Sequence, residues 1–439
     1  MISEKVFAKF IKNIEQLQPF ESKPKIAIAL SGGIDSMALL LLSKQWIENI
    51  DGELVALTVD HALRTESSLE AMEVGKICAK LNVKHAILRW KHLGINTNIQ
   101  AKARQARYEL LTQYCQDHDT LHLFTGHQMQ DTVENFFIKL SRGSGIFGLA
   151  TNNSNFIKNI RICKPIVNFT KNECSKLLQT CQVKHVEDPS NFKRIYFRND
   201  IRFNLQTFCD SGSISLELFE QRVWTSAKHL EASAKLVQEN IIDAMCKAVS
   251  IHQAGFAIVY LRVLQTYCPD TQNYLLTYLL TIIGGNSTPP RSTQVADLLN
   301  LLQSNNFKGA TLSKCALHLL KNDLIIYKEL CSIIDYDIPI NKNACFWDNR
   351  FRIYTNNKQL HVTKLDVKSY DHIKEKIDLS QICDARSHRY KILFTLPAIK
   401  VLEKIVAVPN INYYEDFSDK DFICIFEPSY VSKIMHFVK

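Results

Sequence analysis

The sequence predicts an α/β protein: an N-terminal doubly wound parallel sheet, then a mostly helical middle region, then a small α+β module. Three observations lead there. Short unbroken apolar runs alternate with amphipathic helical stretches over the first half of the chain. A glycine pair, Gly32 and Gly33, sits where the first apolar run gives way to the first helical stretch. Strand signals thin out after about residue 210 and return after about residue 340.

The runs at 26–30, 54–59, 85–88 and 121–125 lack polar alternation, as strands buried on both faces do. Helical patterns fill 35–48, 66–81, 98–115 and 131–142, and one more unit is expected from 165 to 186. Residues 216–285 read as helical. The segment GGNSTPPRST at 284–293 is the clearest breaker in the chain. A helix over 293–304 and two strands around 310–328 are expected next. ILFTLPAIKVLEKIVAVPNI at 392–411 and FICIFEPSY at 422–430 suggest the terminal module. The expected domains are therefore 1–215, 216–335 and 336–439.

A chain of 439 residues with 46% apolar and 22% charged residues is multidomain and globular rather than disordered. Its 13 cysteines include no C-x-x-C pair, which suits reduced thiols and a cytoplasmic location better than a disulfide framework. The N-terminal stretch is charged throughout, so no signal peptide is expected. No run approaches the roughly 18 apolar residues of a membrane span. The net charge of +9 permits a polyanionic partner.

The stretch KIAIALSGGIDSMALLLL, from Lys25, carries the strongest chemical signal. Ligands of open parallel sheets sit beyond the carboxyl ends of the strands, where Ser31, Gly32, Gly33, Ile34, Asp35 and Ser36 fall. The glycines let the main chain approach a ligand, and the helix N-terminus attracts anions. Asp35 would repel a phosphate, so it implies a magnesium ion, a helix cap, or both. No lysine follows the glycines and the Walker A spacing is absent. GSGIFG at 143–148 follows a helix rather than a strand, so it lacks the context of a dinucleotide fingerprint.

Other candidates cluster at the later strand ends. Asp60, His61 and Arg64 close the second strand, and Gly126 and His127 close the fourth. Asp131 and Glu134 follow on a helix whose apolar stripe, Val133, Phe136, Phe137 and Leu140, faces the core. They suit magnesium ligation, proton transfer, or capping with a solvated acidic face. Gln100, Arg104 and Arg107 form one helical stripe, either solvated or in contact with phosphates. Lys193, Arg194, Arg198 and Arg202 surround Tyr196 and Phe197, a mixture suited to phosphate contact and base stacking. Arg198 and Arg202, four apart, can face one ligand. His85, His92, His118 and His122 lack metal-ligand spacing, and Cys174 and Cys181 are expected to pack in the core.

SGGIDS resembles the signature of the N-type ATP pyrophosphatases (PP-loop, adenine nucleotide alpha hydrolase-like). Four more blocks follow in order: VDHALRTESSLEA (59–71), NIQAKARQARYELL (98–111), TGHQMQDTVENFFIKLSRGSGIFGLA (125–150) and VEDPSNFKRIYFRNDIR (186–202). Together they resemble the tRNA(Ile)-lysidine synthetase family, most strongly over 20–210. The resemblance implies a ligase. ATP would adenylate the C2 oxygen of the wobble cytidine in the isoleucine tRNA with a CAU anticodon. Free L-lysine would then displace AMP through its ε-amine. It implies ATP contacts at Ser31 to Ser36, Asp60, His61, Arg64 and Gly126. It further implies catalytic roles for Asp35, His127, Asp131 and Arg202, and magnesium on Asp35 and Asp131. Arg104, Arg107, Lys193, Arg194 and Arg198 would contact tRNA, together with the segments after residue 215. A homodimer is left open.

The sequence departs from the family pattern at Gln130, where the first of two aspartates is usual, and at Thr132 and Asn135. A metal role for this block therefore rests on Asp131. Two rivals remain: a tRNA thiolase of the same superfamily, and a tRNA-binding protein without catalysis, which Gln130 alone favours.

Overall fold

Lys25 to Ala29 form β1, whose Ile26, Ala27 and Ile28 are fully buried, as an unbroken apolar run in a covered parallel sheet requires. The structure is a computed structural model. It describes all residues except 1, 63–65, 93–98, 152, 158, 187–196, 213, 305–306, 334–336, 341–343, 358–359, 380–381, 383–385 and 429–439. The chain divides into two compact units, Met1–Ala234 and Lys235–Lys439.

In the first unit β1 (Lys25–Ala29), β2 (Glu53–Asp60), β3 (Lys84–Arg89), β4 (His122–Thr125), β5 (Ser154–Ile157) and β6 (Ile160–Cys163) form one sheet in the order β3-β2-β1-β4-β6-β5. All pairings are parallel except β5 with β6. Strand order reverses at β1, which lies between β2 and β4, and such a reversal opens the ligand crevice of a doubly wound sheet. Ile26 and Ile28 enter one apolar cluster with Phe10, Leu40, Phe124 and Leu177. Ala27 enters another with Leu57, Leu111 and Leu123. Successive residues of one strand thus serve opposite faces.

The helices are α1 (Glu4–Gln16), α2 (Ile34–Glu48), α3 (Glu66–Lys80), α4 (Ile99–Asp117), α5 (Met129–Leu140), α6 (Ile146–Leu149), α7 (Lys171–Thr180), α8 (Phe197–Asp210) and α9 (Leu216–Ala248). α1 is not among the elements expected from the sequence, although Phe10 and Ile14 recur at helical spacing and are buried. Its stripe on α5 is shorter than expected: Val133 is buried, but Leu140 is 49% exposed at the helix end. Cys174 is buried and Cys181 half-buried.

In the second unit β7 (Val249–His252), β8 (Phe256–Val259), β9 (Ala310–Leu312), β10 (Cys315–Leu320) and β11 (Asp323–Lys328) make an antiparallel sheet ordered β7-β8-β11-β10-β9. The helices α10 (Leu261–Leu264), α11 (Pro269–Ile283) and α12 (Ser292–Gln303) lie between its strands in sequence. The β7–β8 hairpin, turning at Gly255 with φ +72°, interrupts a stretch expected to be helical. The remaining strands form a five-stranded and a three-stranded sheet. One apolar cluster joins Phe256, Ile325 and Tyr327 to Trp347, Phe351 and Ile399, so a shared core spans residue 335. Among the described residues, no helix is long and apolar enough to cross a membrane.

Candidate active site

The turn from β1 into α2 is held by its own polar groups. Gly32 has φ +85°, and a Cβ there would stand 2.7 Å from the Val74 side chain, so the position excludes other residues. Its carbonyl accepts the Val186 amide at 2.9 Å. Gly33 is the N-cap of α2. The Ser36 hydroxyl donates to the Gly33 carbonyl at 3.0 Å and accepts the Ser31 amide at 3.2 Å. Beyond β4, a Cβ on Gly126 would lie 3.0 Å from the Ser36 nitrogen. Glycine there lets the β4 loop rest against the start of α2. The first-turn amides of an α-helix have no intrahelical acceptor, which makes this turn an anion cradle.

Asp35 is not the cap: Gly33 fills that place, with no side-chain bond. The Asp35 Oδ1 is buried without a hydrogen-bond partner among the described residues. Burial raises this carboxyl to about 6, and the charges of Asp131 and Glu134 add to the rise against Lys171 and Arg202.

On α5 the charges are paired. Asp131 accepts the Gln128 amide at 3.1 Å and completes a capping box, while its other oxygen lies 3.4 Å from Arg198 Nη2. Gln130 donates its amide to the Gln128 side chain at 2.8 Å. Glu134, 1% exposed, stands between two guanidinium groups. Arg202 reaches Oε1 at 2.7 and 2.8 Å. Arg198 Nε lies 2.7 Å from Oε2 in an ion pair whose angle misses hydrogen-bond alignment. Burial raises the Glu134 pKa, and both arginines oppose the rise. Arg198 and Arg202 do face one group, as their spacing implies, but that group is an internal carboxylate. Glu134 is accordingly not on a solvated face.

His127 shares a hydrogen bond with the Thr125 hydroxyl at 2.9 Å. Burial pushes its imidazole down to about 4. Asp131 opposes this, and Lys164, Arg104 and Arg198 reinforce it. The ring is neutral at physiological pH.

At the end of β2, the Asp60 carboxylate accepts the Ala62 amide at 2.9 Å and the Ser67 and Ser68 hydroxyls at 2.6 and 2.7 Å. Burial raises its pKa, but these bonds outweigh burial and hold it below the usual carboxylate range. His61 receives Arg107 Nη2 at 3.2 Å, and burial with that neighbouring charge pushes it down to about 4. Arg104 lies over the Tyr108 ring at 5.2 Å. Arg64, Lys193 and Arg194 fall outside the described residues.

Three members of this cluster escaped the sequence reading. Lys164 follows β6, and burial lowers it to about 8, helped by Lys139 and Arg104. Lys171 opens α7 after its Thr170 cap, and its charge lowers the Asp35 pKa. Glu220, on α9, is 8% exposed and is pushed to about 7 by burial, with Glu134 and Glu217 adding. Lys164 had a weak sequence signal in the strand-like IRIC before it, and Lys171 in the Thr170-x-x-Glu173 capping-box spacing around it; Glu220 had none.

Residues 3–208 match the model of the PP-loop domain. The tRNA(Ile)-lysidine synthase of Orientia tsutsugamushi (strain Boryong) is 39% identical over 437 residues, 98% of each chain. That of Rickettsia akari (strain Hartford) is 36% identical over 436 residues, 98% of this chain and all of the relative. Among solved structures, a U34-tRNA thiolase from Methanococcus maripaludis covers 52% of this chain and 81% of its own, at 19% identity and a TM-score of 0.43, a likeness too slight to argue from. With its PP-loop domain at the N-terminal end, the chain belongs to the tRNA(Ile)-lysidine synthase family.

Proposed function

We propose that the protein is a ligase that joins free L-lysine to C2 of the wobble cytidine of the isoleucine tRNA with a CAU anticodon. ATP activates the base, and AMP and pyrophosphate are released. The observation that carries this reading is the anion cradle at Ser31 to Ser36 with the buried Asp35 Oδ1, unpartnered among the described residues, beside it, in a chain similar to its relatives over nearly its full length.

The C2 oxygen of the cytidine attacks the α-phosphorus of ATP and pyrophosphate departs. The lysine amine then forms the N–C2 bond, and AMP leaves with that oxygen. The cradle amides hold phosphate oxygens, and exclusion of water strengthens that grip. The neutral His127 ring offers an acceptor nitrogen that can orient the attacking amine; with a pKa of about 4 it is too weak a base to hold the amine's proton, which passes on to solvent. Arg202 fixes Glu134, and with it α5, on which Asp131 stands. The Asp60 carboxylate is spent on its own turn, so contact with ATP there falls to the neighbouring main chain.

Magnesium belongs to this reading. The Asp35 oxygen is a hard donor beside a phosphate site, which fits the ion. Asp131 fits by giving up Arg198. When bound, the ion would neutralise phosphate charge. Among the described residues no group of three or more His, Cys, Asp or Glu side chains gathers for a metal. Magnesium suits such a site, since it takes one or two carboxylates and completes its shell with phosphate oxygens and water. In the same reading tRNA meets Arg104, Arg107, Lys193, Arg194 and Arg198 and the segments 216–335 and 336–439, and the protein works in the cytoplasm.

The test is mass analysis of the wobble nucleotide after incubation with ATP, magnesium, lysine and the tRNA. A lysine adduct with one AMP and one pyrophosphate per turnover is expected. No adduct, or a gain of sulfur, overturns the reading.

A further inference from the structure

A cavity of about 510 Å³ in the first unit shares no residue with the site above. Its lining includes Lys9 and Lys12 of α1, Asn153 and Asn168 of the segments flanking the β5–β6 hairpin, and Trp224 and Lys228 of α9. Its volume falls within the range of roughly 300–1,000 Å³ usual for small-molecule sites.

The charges and the unmatched polar atoms describe its ligand. Lys9 pairs with Glu173 at 2.8 Å and Lys228 with Glu231 at 2.9 Å. Each ammonium has three N–H groups and so keeps donors to spare. Lys12 is exposed and makes no ion pair among the described residues. Two buried atoms of the lining lack partners among the described residues: the Trp224 Nε1–H, which can only donate, and the Asn153 Oδ1, which can only accept. A ligand that answers both must carry an acceptor and a donor near a negative charge. Lys228 Nζ lies 5.9 Å from the Trp224 ring centre, which sets a cation beside an aromatic face. Nucleotides meet this combination, with phosphate for the lysines and a base edge or face for the indole and amide.

We infer that this cavity holds one nucleotide of the tRNA, its phosphate on Lys9, Lys12 and Lys228 and its base against Trp224 and Asn153. The choice of a polynucleotide rests on the proposed function, in which free ATP already has the cradle at Ser31 to Ser36. The exposed Lys12 and the net charge of +9 suit a long polyanion.

The experiment measures tRNA affinity of the full chain against salt, for wild type, the double variant Lys12→Gln/Lys228→Gln, and Trp224→Phe. The double variant should bind about tenfold more weakly near 100 mM salt, with a slope of log affinity against log salt shallower by roughly one to two. Trp224→Phe keeps a ring but loses the donor. It should weaken binding several-fold and leave the slope unchanged. Melting temperatures identify any variant that fails to fold, and the exposed Lys12→Gln alone then carries the slope measurement. Wild-type affinity and slope in all variants would overturn the inference. So would AMP quenching tryptophan fluorescence in wild type but not in Trp224→Phe while tRNA binding is unchanged, since the cavity would then take a free nucleotide. Failure of the proposed function looks different: wild type would bind tRNA through Lys12 and Lys228 yet form no lysine adduct.

Discussion

Replacing Asp35 by asparagine should stabilise the unliganded protein while removing its activity. The carboxyl titrates at about 6 in the fold against an ordinary value of 3.8, with burial as the chief cause. A raised value means that the ionised form is less comfortable folded than unfolded. The penalty is absent below 3.8, grows as pH rises towards 6, and is complete above it. That interval corresponds to about 3 kcal/mol at pH 7.5 and about half as much at pH 5. Residual contact with water lowers these figures, so about 1–3 kcal/mol is expected at pH 7.5. For a cooperative unit the size of Met1–Ala234 that is roughly 2–12 °C in melting temperature. Asparagine keeps the shape of the side chain and removes the charge. Thermal melts of wild type and Asp35→Asn, without nucleotide, at pH 7.5 and pH 5 make the comparison. The variant's advantage should shrink at the lower pH. ATP with magnesium should raise the wild-type melting point and not the variant's, and the variant should form no adenylated tRNA. A variant that melts at or below wild type at pH 7.5, or an advantage that ignores pH, would refute the assignment of Asp35 as an uncompensated charge.

Three further outcomes can be checked. Asp131→Asn should be severe, because Gln130 offers only a neutral carbonyl in its place, whereas Gln130→Asp should at most lower the magnesium concentration for half-maximal rate; a titration of rate against magnesium separates them. The pH–rate profile should show no inflection near 6.5 from His127, since burial holds that ring near 4, and His127→Ala should slow the reaction about 10²-fold through lost positioning. In the second unit, Arg350 and Lys328 are buried against Asp348 at 2.6 and 3.5 Å, so Asp348→Ala strands two cations and should cost about 3–5 kcal/mol, read as early melting of that unit.

What the sequence made legible follows from burial. β1, β2 and β4 lie in the covered part of the sheet and are nearly unbroken apolar runs, whereas β3 is the edge strand and only half-buried, with Ile87 43% exposed; all four expected strands end within a residue or two of the observed ones. β7 and β8 are four residues each in an antiparallel hairpin, too short to show a period of two against a helical background. α1 carries a readable stripe in Phe10 and Ile14, diluted by the charged residues around it. In the site, glycines and carboxylates at strand ends stood out because such positions need a local reason. Partners did not. The i, i+4 spacing of Arg198 and Arg202 on α8 showed that they share a face, and only the fold showed Glu134, 68 positions before Arg202, on the other side. The Ser67 and Ser68 bonds to Asp60 were hidden in the same way, because serines in a helix's first turn are more often caps than clamps.

The contrast between Glu134 and Asp35 explains how this arrangement can be both rigid and reactive. Burial raises the pKa of both carboxyls. Glu134 is answered by two guanidinium groups, and breaking that clamp would leave them unmatched, so α5 and α8 are tied together with Asp131 at the start of the tie. Asp35 has Lys171 and Arg202 only as more distant charges, and its Oδ1 touches no donor among the described residues. A buried carboxylate left in that state is tolerable where a ligand supplies the missing charge. The main-chain amides beside it invite an anion, which by itself would deepen the repulsion. A cation carried in by a polyphosphate satisfies both at once, and no ligand of a single sign does. Matched charges therefore hold these elements in place, and the Asp35 charge, unanswered among the described residues, marks where the nucleotide belongs.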